Sequence, residues 1–266
     1  MMMRISLGIS YDGSDFHGWQ TQQEDLRTVQ VCVEQALSRV ANHPVTVVVA
    51  GRTDAGVHAV EQVVHFDTSA QRPLRAWVFG TNQYLPQDVA IFWAKEVPKS
   101  FHARFSAISR RYRYVIYSSA IRPVLERARV TWDYRKFDLE AMSTAASFLE
   151  GTHDFSSYRA LRCQAKSPIR TLHRLEVTQE NDRLGQKITI EAVANAFLHH
   201  MVRNLAGVLM TIGAGEKPPE WAREVLEQRD RAKGGVTAPP EGLYLVQVQY
   251  PDLDSTEPTH YSFCNS

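Results

Sequence analysis

Cysteine is scarce in this chain: Cys32, Cys163 and Cys264 are the only three in 266 residues. The number is odd and no two are close in sequence, which argues against a disulfide scaffold and against a four-thiolate zinc site. A reducing compartment, the cytoplasm, suits such a chain. Long hydrophobic runs are lacking too, and none approaches the ~20 residues that a membrane helix needs. The opening Met1-Met2-Met3-Arg4-Ile5-Ser6 has no apolar core and no small-residue cleavage site, so no signal peptide is expected. Neither charge is in excess: 30 Lys and Arg stand against 29 Asp and Glu, and a net charge of +1 excludes a histone-like polycation. What is present is ordinary globular material, 44% hydrophobic and 22% charged, which excludes a disordered or low-complexity chain. A chain of this length makes about two domains, or one large one, and needs no covalent staples.

The charges are unevenly spread. Residues 101–136 hold nine bases (Arg104, Arg110, Arg111, Arg113, Arg122, Arg127, Arg129, Arg135 and Lys136) against two acids, Glu126 and Asp133. Residues 159–174 hold five more (Arg159, Arg162, Lys166, Arg170 and Arg174) and no acid. Basic patches on a neutral protein suggest a polyanionic partner on one face. Salt bridges on a solvated surface are the simpler alternative.

Hydrophobic periodicity divides the chain into two similar halves. Residues 4–11 alternate Ile5, Leu7, Ile9 and Tyr11, as a strand does. Thr28 is placed to cap a helix over 29–41, which Pro44 ends. The β-branched run 45–50 predicts a buried strand. After the loop 51–58 come a strand over 60–66, a weakly helical stretch over 74–84 and a strand over 89–93. In the second half, 112–117 is a strand, and Asp138 is placed to cap a helix over 139–149 that stops at Gly151. Strands over 172–177 and 188–194 are joined through Asn181-Asp182. Helices over 198–214 and 219–229 and a strand over 243–248 follow. Both halves thus read β-α-β-β-α-β, the ferredoxin-like order shared with many RNA-binding domains, with the boundary near 96–110. The polar segment 252–266 is expected to be a disordered tail.

Two features carry chemistry. Ala50-Gly51-Arg52-Thr53-Asp54-Ala55-Gly56-Val57-His58-Ala59 is a short polar loop between apolar strands, with Asp54 at its centre. Loops on a rigid scaffold are favoured places for catalytic groups, although an aspartate also serves simply to cap a turn. The helix 198–214 is apolar nearly all round, with Leu198, Met201, Val202, Leu205, Val208, Leu209 and Ile212 on one stripe and Ala206, Gly207, Thr211 and Ala214 opposite. Arg203 is its only formal charge. A buried guanidinium requires a carboxylate partner, and Asp54, Asp12, Asp15 and Glu191 are candidates.

The loop Gly51-Arg52-Thr53-Asp54-Ala55-Gly56-Val57-His58-Ala59 resembles the nucleophile loop of the bacterial tRNA pseudouridine synthase A family. The resemblance continues, in order, through Tyr11-Asp12-Gly13 with Phe16-His17-Gly18-Trp19-Gln20, Phe101-His102-Ala103-Arg104-Phe105-Ser106 and Arg110-Arg111-Tyr112-Arg113-Tyr114. It extends through Gly151-Thr152-His153-Asp154-Phe155, Lys166-Ser167-Pro168-Ile169-Arg170-Thr171, Phe197-Leu198-His199-His200-Met201-Val202-Arg203-Asn204 and Ala238-Pro239-Pro240-Glu241-Gly242-Leu243. It spans residues 4–251; Cys163 and the polar tail match nothing in it.

The resemblance implies an α+β pseudouridine synthase fold. Two ferredoxin-like (RRM-like) halves, 1–105 with the aspartate loop and 106–251, would join in one mixed, mainly antiparallel sheet with a central cleft. It implies isomerisation of uridine to pseudouridine at positions 38, 39 and 40 of the tRNA anticodon stem-loop, by a homodimer without cofactor, metal or membrane. Asp54 would be the catalytic carboxylate, Tyr112 the active-site tyrosine and Arg203 the cation that keeps Asp54 ionised. A guanidinium ~4 Å away contributes on the order of 4 kcal/mol at an effective dielectric near 20, against the rise in pKa that burial causes. Arg52 would hold a phosphate beside the extruded uridine. Leu245 lines the base pocket or packs in the core; its pattern fits both. Arg104, Arg110, Arg111 and Lys166 would hold the RNA. Whether Asp54 attacks C1′, adds to C6 or removes a sugar proton stays open. Two other classes stand beside this one. A non-catalytic RNA-binding protein lacks a complete RNP1-type strand here, and a metal-dependent hydrolase lacks histidines at zincin spacing.

Overall fold

The computed structural model describes residues 2–21, 26–161, 163–251 and 253. Arg162, Cys264 and the tail expected to be disordered, apart from Leu253, lie outside the described residues. The fold class is α+β with mainly antiparallel strand pairing, as expected. The chain forms two compact units: one runs to Ile108 and takes up the chain again from Leu245, and the other spans Ser109–Tyr244.

In the first unit the strands are β1 (Met3–Tyr11), β2 (Val48–Val49), β3 (His58–Thr68) and β4 (Val89–Val97), with helix α1 (Val29–Ala41) after β1. β1 lies between β3 and β4, antiparallel to both. Both of its edges are therefore paired, and Ile5, Leu7 and Ile9 on one face are buried. A Cβ at Gly8 would lie 2.1 Å from the Trp93 indole nitrogen, so glycine there makes room for the largest side chain of β4. The weakly helical stretch is helical over 74–82, with a widened turn at Ala76–Gly80.

Two expectations are corrected here. The run 45–50 pairs only at Val48–Val49, against Val64 and His65 of β3. Ala50 N still reaches Val63 O of β3 at 2.8 Å, but the amides at the start of the run are taken by α1: Val45 N donates to Ser38 Oγ at 2.9 Å and Val47 N to Glu34 Oε1 at 3.0 Å. Thr28 stands at the N-cap of α1 but makes no side-chain cap bond. The first-turn amides are satisfied instead by the preceding loop, with Val29 N donating to Gly18 O at 3.3 Å and Gln30 N to Trp19 O at 3.0 Å.

In the second unit the strands are β5 (Ser109–Ser118), β6 (Thr131–Asp133), β7 (Gly151–Asp154), β8 (Ile169–Asn181) and β9 (Gln186–Ala194). The helices are α2 (Leu139–Ser147), α3 (Met201–Gly213) and α4 (Trp221–Gln228), and the last strand, β10 (Leu243–Gln249), starts here and ends in the first unit. The order is β5-β9-β8-β7, antiparallel throughout, with β6 parallel to β5. β6 and β7 are too short and polar to show a period. Asp138 caps α2 as expected, accepting from Ala141 N at 3.0 Å. α3 begins three residues later than its apolar stripe suggests, because His200 takes a left-handed conformation at φ 61°. The small face of α3 receives a loop: a Cβ on Gly207 would lie 1.8 Å from Val236 O. Asn204, buried on the same helix, donates to Tyr158 O at 2.7 Å and accepts from Thr237 Oγ1 at 2.7 Å and Arg231 Nη2 at 3.1 Å. Among the described residues no helix is long and apolar enough to cross a membrane.

Candidate active site

In the first unit, segments far apart in sequence press against each other backbone to backbone. The loop 51–58 links β2 to β3, and the segment 12–19 follows β1. Trp19 N donates to Thr53 O at 3.0 Å, and Gly56 N to Phe16 O at 3.3 Å. A Cβ at Gly13 would sit 2.0 Å from Val57 O, and one at Gly18, whose φ is +89°, would sit 2.8 Å from Thr53 O. Only glycine allows that approach. The loop closes on itself through Val57 N to Asp54 O at 3.2 Å, and Gly56 at φ 78° completes the turn.

Side chains from the strands below fix the same loop. The Tyr11 hydroxyl lies 2.8 Å from Thr53 Oγ1. Gln62 donates through Nε2 to Gly51 O at 2.6 Å and approaches the Tyr11 oxygen at 3.4 Å. Burial pushes the Tyr11 phenol up to about 12, so it stays a neutral hydroxyl. Gly13 N donates to His58 Nδ1 at 3.0 Å. Asp12 Oδ1 lies 3.2 Å from the same nitrogen. The result is an alternation: Arg52 exposed, Thr53 buried, Asp54 half-buried. The middle residue anchors the turn and its neighbours point away from the core. The backbone that carries the Asp54 carboxylate is thereby held in place from both sides. Gln62 and the Gly13–His58 bond were not singled out in the sequence. Their only signal is a polar side chain, Gln62, inside an apolar strand.

Two other predicted residues belong to this unit. Leu245, in β10, has no exposed surface. Arg104 is exposed on the turn that follows β4.

In the second unit Tyr112 and Arg110 share the covered face of β5. Both are buried; Arg110 donates through Nη1 to Asn195 O at 2.9 Å, and the Tyr112 ring meets Phe197 edge-on at 5.0 Å. The segment 195–203 thus lies over this face and leads into Arg203, in the first turn of α3. Arg203 is half-buried rather than enclosed. Its Nε donates to Ala238 O at 2.7 Å while its own carbonyl accepts from Ala238 N at 3.1 Å. Arg111 points to the opposite face of β5. There it joins Arg113 and Arg174 around Glu191, at 3.8, 3.9 and 3.9 Å. Lys166 is exposed in the loop before β8.

The family model described as tRNA pseudouridine synthase matches residues 9–106 and 145–251, and those spans include both the clamped aspartate loop and the Arg203 segment. The chain belongs to the tRNA pseudouridine synthase family. It is 61% identical over 252 residues to the tRNA pseudouridine synthase A of Alcanivorax borkumensis, covering 95% of this chain and 93% of that protein. It is 58% identical over 248 residues to the protein of the same name from Pseudomonas aeruginosa, covering 93% and 86%. The Nitrosococcus oceani protein of that name is 60% identical over 250 residues, covering 94% and 95%. Within the family match, the segments 11–20 and 51–59 clasp each other in space.

Proposed function

We propose that this tRNA pseudouridine synthase family member is a cytoplasmic isomerase. It converts uridine to pseudouridine at positions 38, 39 and 40 of the tRNA anticodon stem-loop, with Asp54 as the catalytic carboxylate. The observation that carries the reading is the Arg52-Thr53-Asp54 turn, clamped by the glycines of 13–18 and by Tyr11 and Gln62. The N1–C1′ bond breaks, the base turns, and C5 bonds to C1′; C5 loses a proton and N1 gains one. Atoms and electrons balance without an oxidant or reductant, so the isomerisation needs no redox cofactor, and in this reading the protein's own side chains carry it.

Each residue has a part. Asp54, ionised, stabilises the positive charge that develops at the sugar. Arg203 provides the positive charge that keeps it ionised, a role suited to a guanidinium, which does not lose its proton. Tyr112 stacks on the turned base and its hydroxyl helps to move the C5 proton. Leu245 forms an apolar wall of the uracil pocket. Arg52 takes a phosphate of the flipped nucleotide, and Arg104, Arg111 and Lys166 hold the RNA backbone, while Arg110, buried against Asn195 O, supports the strand that carries Tyr112. The working form is a homodimer.

The test is Asp54→Asn, which removes the charge and keeps the size. Single-turnover pseudouridine formation at saturating protein falls by at least roughly 10²–10⁴-fold, while the Kd for tRNA stays near the wild-type value. Substantial residual activity removes Asp54 from the catalytic role.

A further inference from the structure

The turn Phe101–Ser106, at the end of the first unit's strand β4, presents an aromatic ring that the fold does not cover. Phe105 is 74% exposed, whereas Phe101, four residues earlier, is 9% exposed and packs on Tyr250 at 5.0 Å. The same short turn thus buries one phenylalanine and displays the other.

The display is rigid. His102 N donates to Ser106 Oγ at 2.9 Å, and Ser106 N donates back to His102 O at 2.9 Å. His102 Nδ1 faces the amides of Arg104 and Phe105 at 3.2 and 3.3 Å, which sets the tilt of its ring. Ala103 is held from both sides, its N–H donating to His65 Nδ1 at 3.1 Å and its carbonyl accepting from the Tyr250 hydroxyl at 2.6 Å. Against the His102 ring lies Phe105, with centroids 4.4 Å apart and planes 33° from parallel. The Arg104 guanidinium stands 5.5 Å from the Phe105 centroid. The Phe105 ring is backed by an imidazole that the backbone orients, and the Arg104 guanidinium lies over it.

A surface aromatic with few conformations and an adjacent cation is how proteins hold unpaired bases: the base stacks on the ring and its phosphate meets the positive charge. A ligand that is planar, apolar on its faces and joined to an anion matches both groups. From this geometry we infer that Phe105 and Arg104 form a base-stacking platform that holds an unpaired nucleobase of the tRNA other than the uridine undergoing isomerisation. Arg104 meets the adjoining phosphate. The inference rests on the reading that tRNA is the substrate, and it adds a second base contact to the one at Tyr112.

The experiment compares the full-length wild-type protein with Phe105→Ala, Phe105→Leu, Phe105→Trp and Arg104→Gln. The Kd for deacylated tRNA is measured across a salt series, pseudouridine formation on the same tRNA is measured alongside, and oligomeric state is followed by sedimentation. A stacked base lost by truncation raises Kd by about 5- to 150-fold. Phe105→Ala therefore weakens binding in that range without changing the slope of log K against log salt. Phe105→Leu, apolar but without a π-face, is nearly as weak, and Phe105→Trp binds at least as tightly as wild type. Arg104→Gln flattens the salt slope by about 0.7–0.9. Wild-type affinity in Phe105→Ala, or in Phe105→Leu, overturns the platform. So does a Phe105→Ala variant that changes only the oligomeric state, which would make this a protein–protein surface. A wild-type protein that makes no pseudouridine yet loses tRNA affinity in Phe105→Ala overturns the proposed activity and leaves the platform standing.

Discussion

Adding one methyl group at Gly13 tests whether the segment after β1 sets the position of Asp54. A Cβ there lies 2.0 Å from Val57 O and 2.5 Å from Val57 C, and ordinary contact begins at 3.4 Å. The obstacle is backbone, which cannot rotate away as a side-chain end can. The loop 51–58 must therefore retreat by about 1.4 Å, the difference between those two separations. Val57 N holds Asp54 O, and Gly13 N holds His58 Nδ1, so the retreat is passed to the turn that carries the carboxylate. Overpacking of this kind costs about 1–3 kcal/mol of stability, and a misplacement near 1 Å costs on the order of 10²-fold in rate. Gly13→Ala is expected to remain folded at 25 °C, to bind tRNA and to turn over roughly a hundredfold more slowly in single-turnover assays. Gly80→Ala is the control. Its Cβ would meet only Val40 methyl groups, at 3.5 and 3.8 Å, so its rate stays at wild type and its stability rises by about 0.4–1 kcal/mol. A folded Gly13→Ala protein with the wild-type rate would falsify the idea that the clasp between these loops positions Asp54.

Three further outcomes are expected. If Asp54 and Arg203 act as a pair, Arg203→Met destabilises the fold by about 1–3 kcal/mol, less than a fully buried pair would because both groups are half-buried, and recovers part of its activity at higher pH; the double variant with Asp54→Asn is more stable than the summed single losses, and strict additivity in urea unfolding breaks the link. Arg110→Ala mainly lowers stability, since its guanidinium holds Asn195 O, whereas Arg111→Ala, on the other face of β5, flattens the salt slope of tRNA binding by about 0.7–0.9; identical behaviour of the two contradicts the alternation. Burial, then the nearby charge of Arg4, lowers the His65 ring to about 4. The unfolded chain therefore takes up the proton first, and stability is complete above about pH 6.5 and lost as pH falls towards 4, by at most about 1.4 kcal/mol per pH unit. His65→Gln shallows that acid limb, and urea midpoints from pH 7 to 4 that match wild type would show that another group causes it.

Long periodic elements were legible because their pattern is local. The alternation of 4–11 and the stripe of 29–41 each need one covered face, and β1 and α1 lie where those patterns put them. Elements whose backbone partners come from elsewhere were misjudged. Val45 and Val47 have β propensity, but side chains of α1 claim their amides. Thr28 has the chemistry of a cap, but the carbonyls of Gly18 and Trp19 reach the helix first. Leu198 continues the apolar stripe of α3, yet the left-handed turn at His200 holds it outside the helix.

The candidate site divides in the same way. The residue types, the order of the motifs and the family resemblance all sit in the sequence, because chemistry needs particular side chains and a loop needs its glycines. Which glycine serves which contact is not written there. Gly13 and Gly18 read as ordinary turn residues until the chain folds and brings Val57 and Thr53 within 3 Å of where their Cβ atoms would be. Arg110 and Arg111 are adjacent letters in one basic patch, yet strand geometry sends one to Asn195 and the other to Glu191. Composition and periodicity record what each segment prefers by itself. Only the tertiary structure decides which backbone carbonyl, carboxylate or open surface each side chain meets, since those partners lie tens of residues away in the chain.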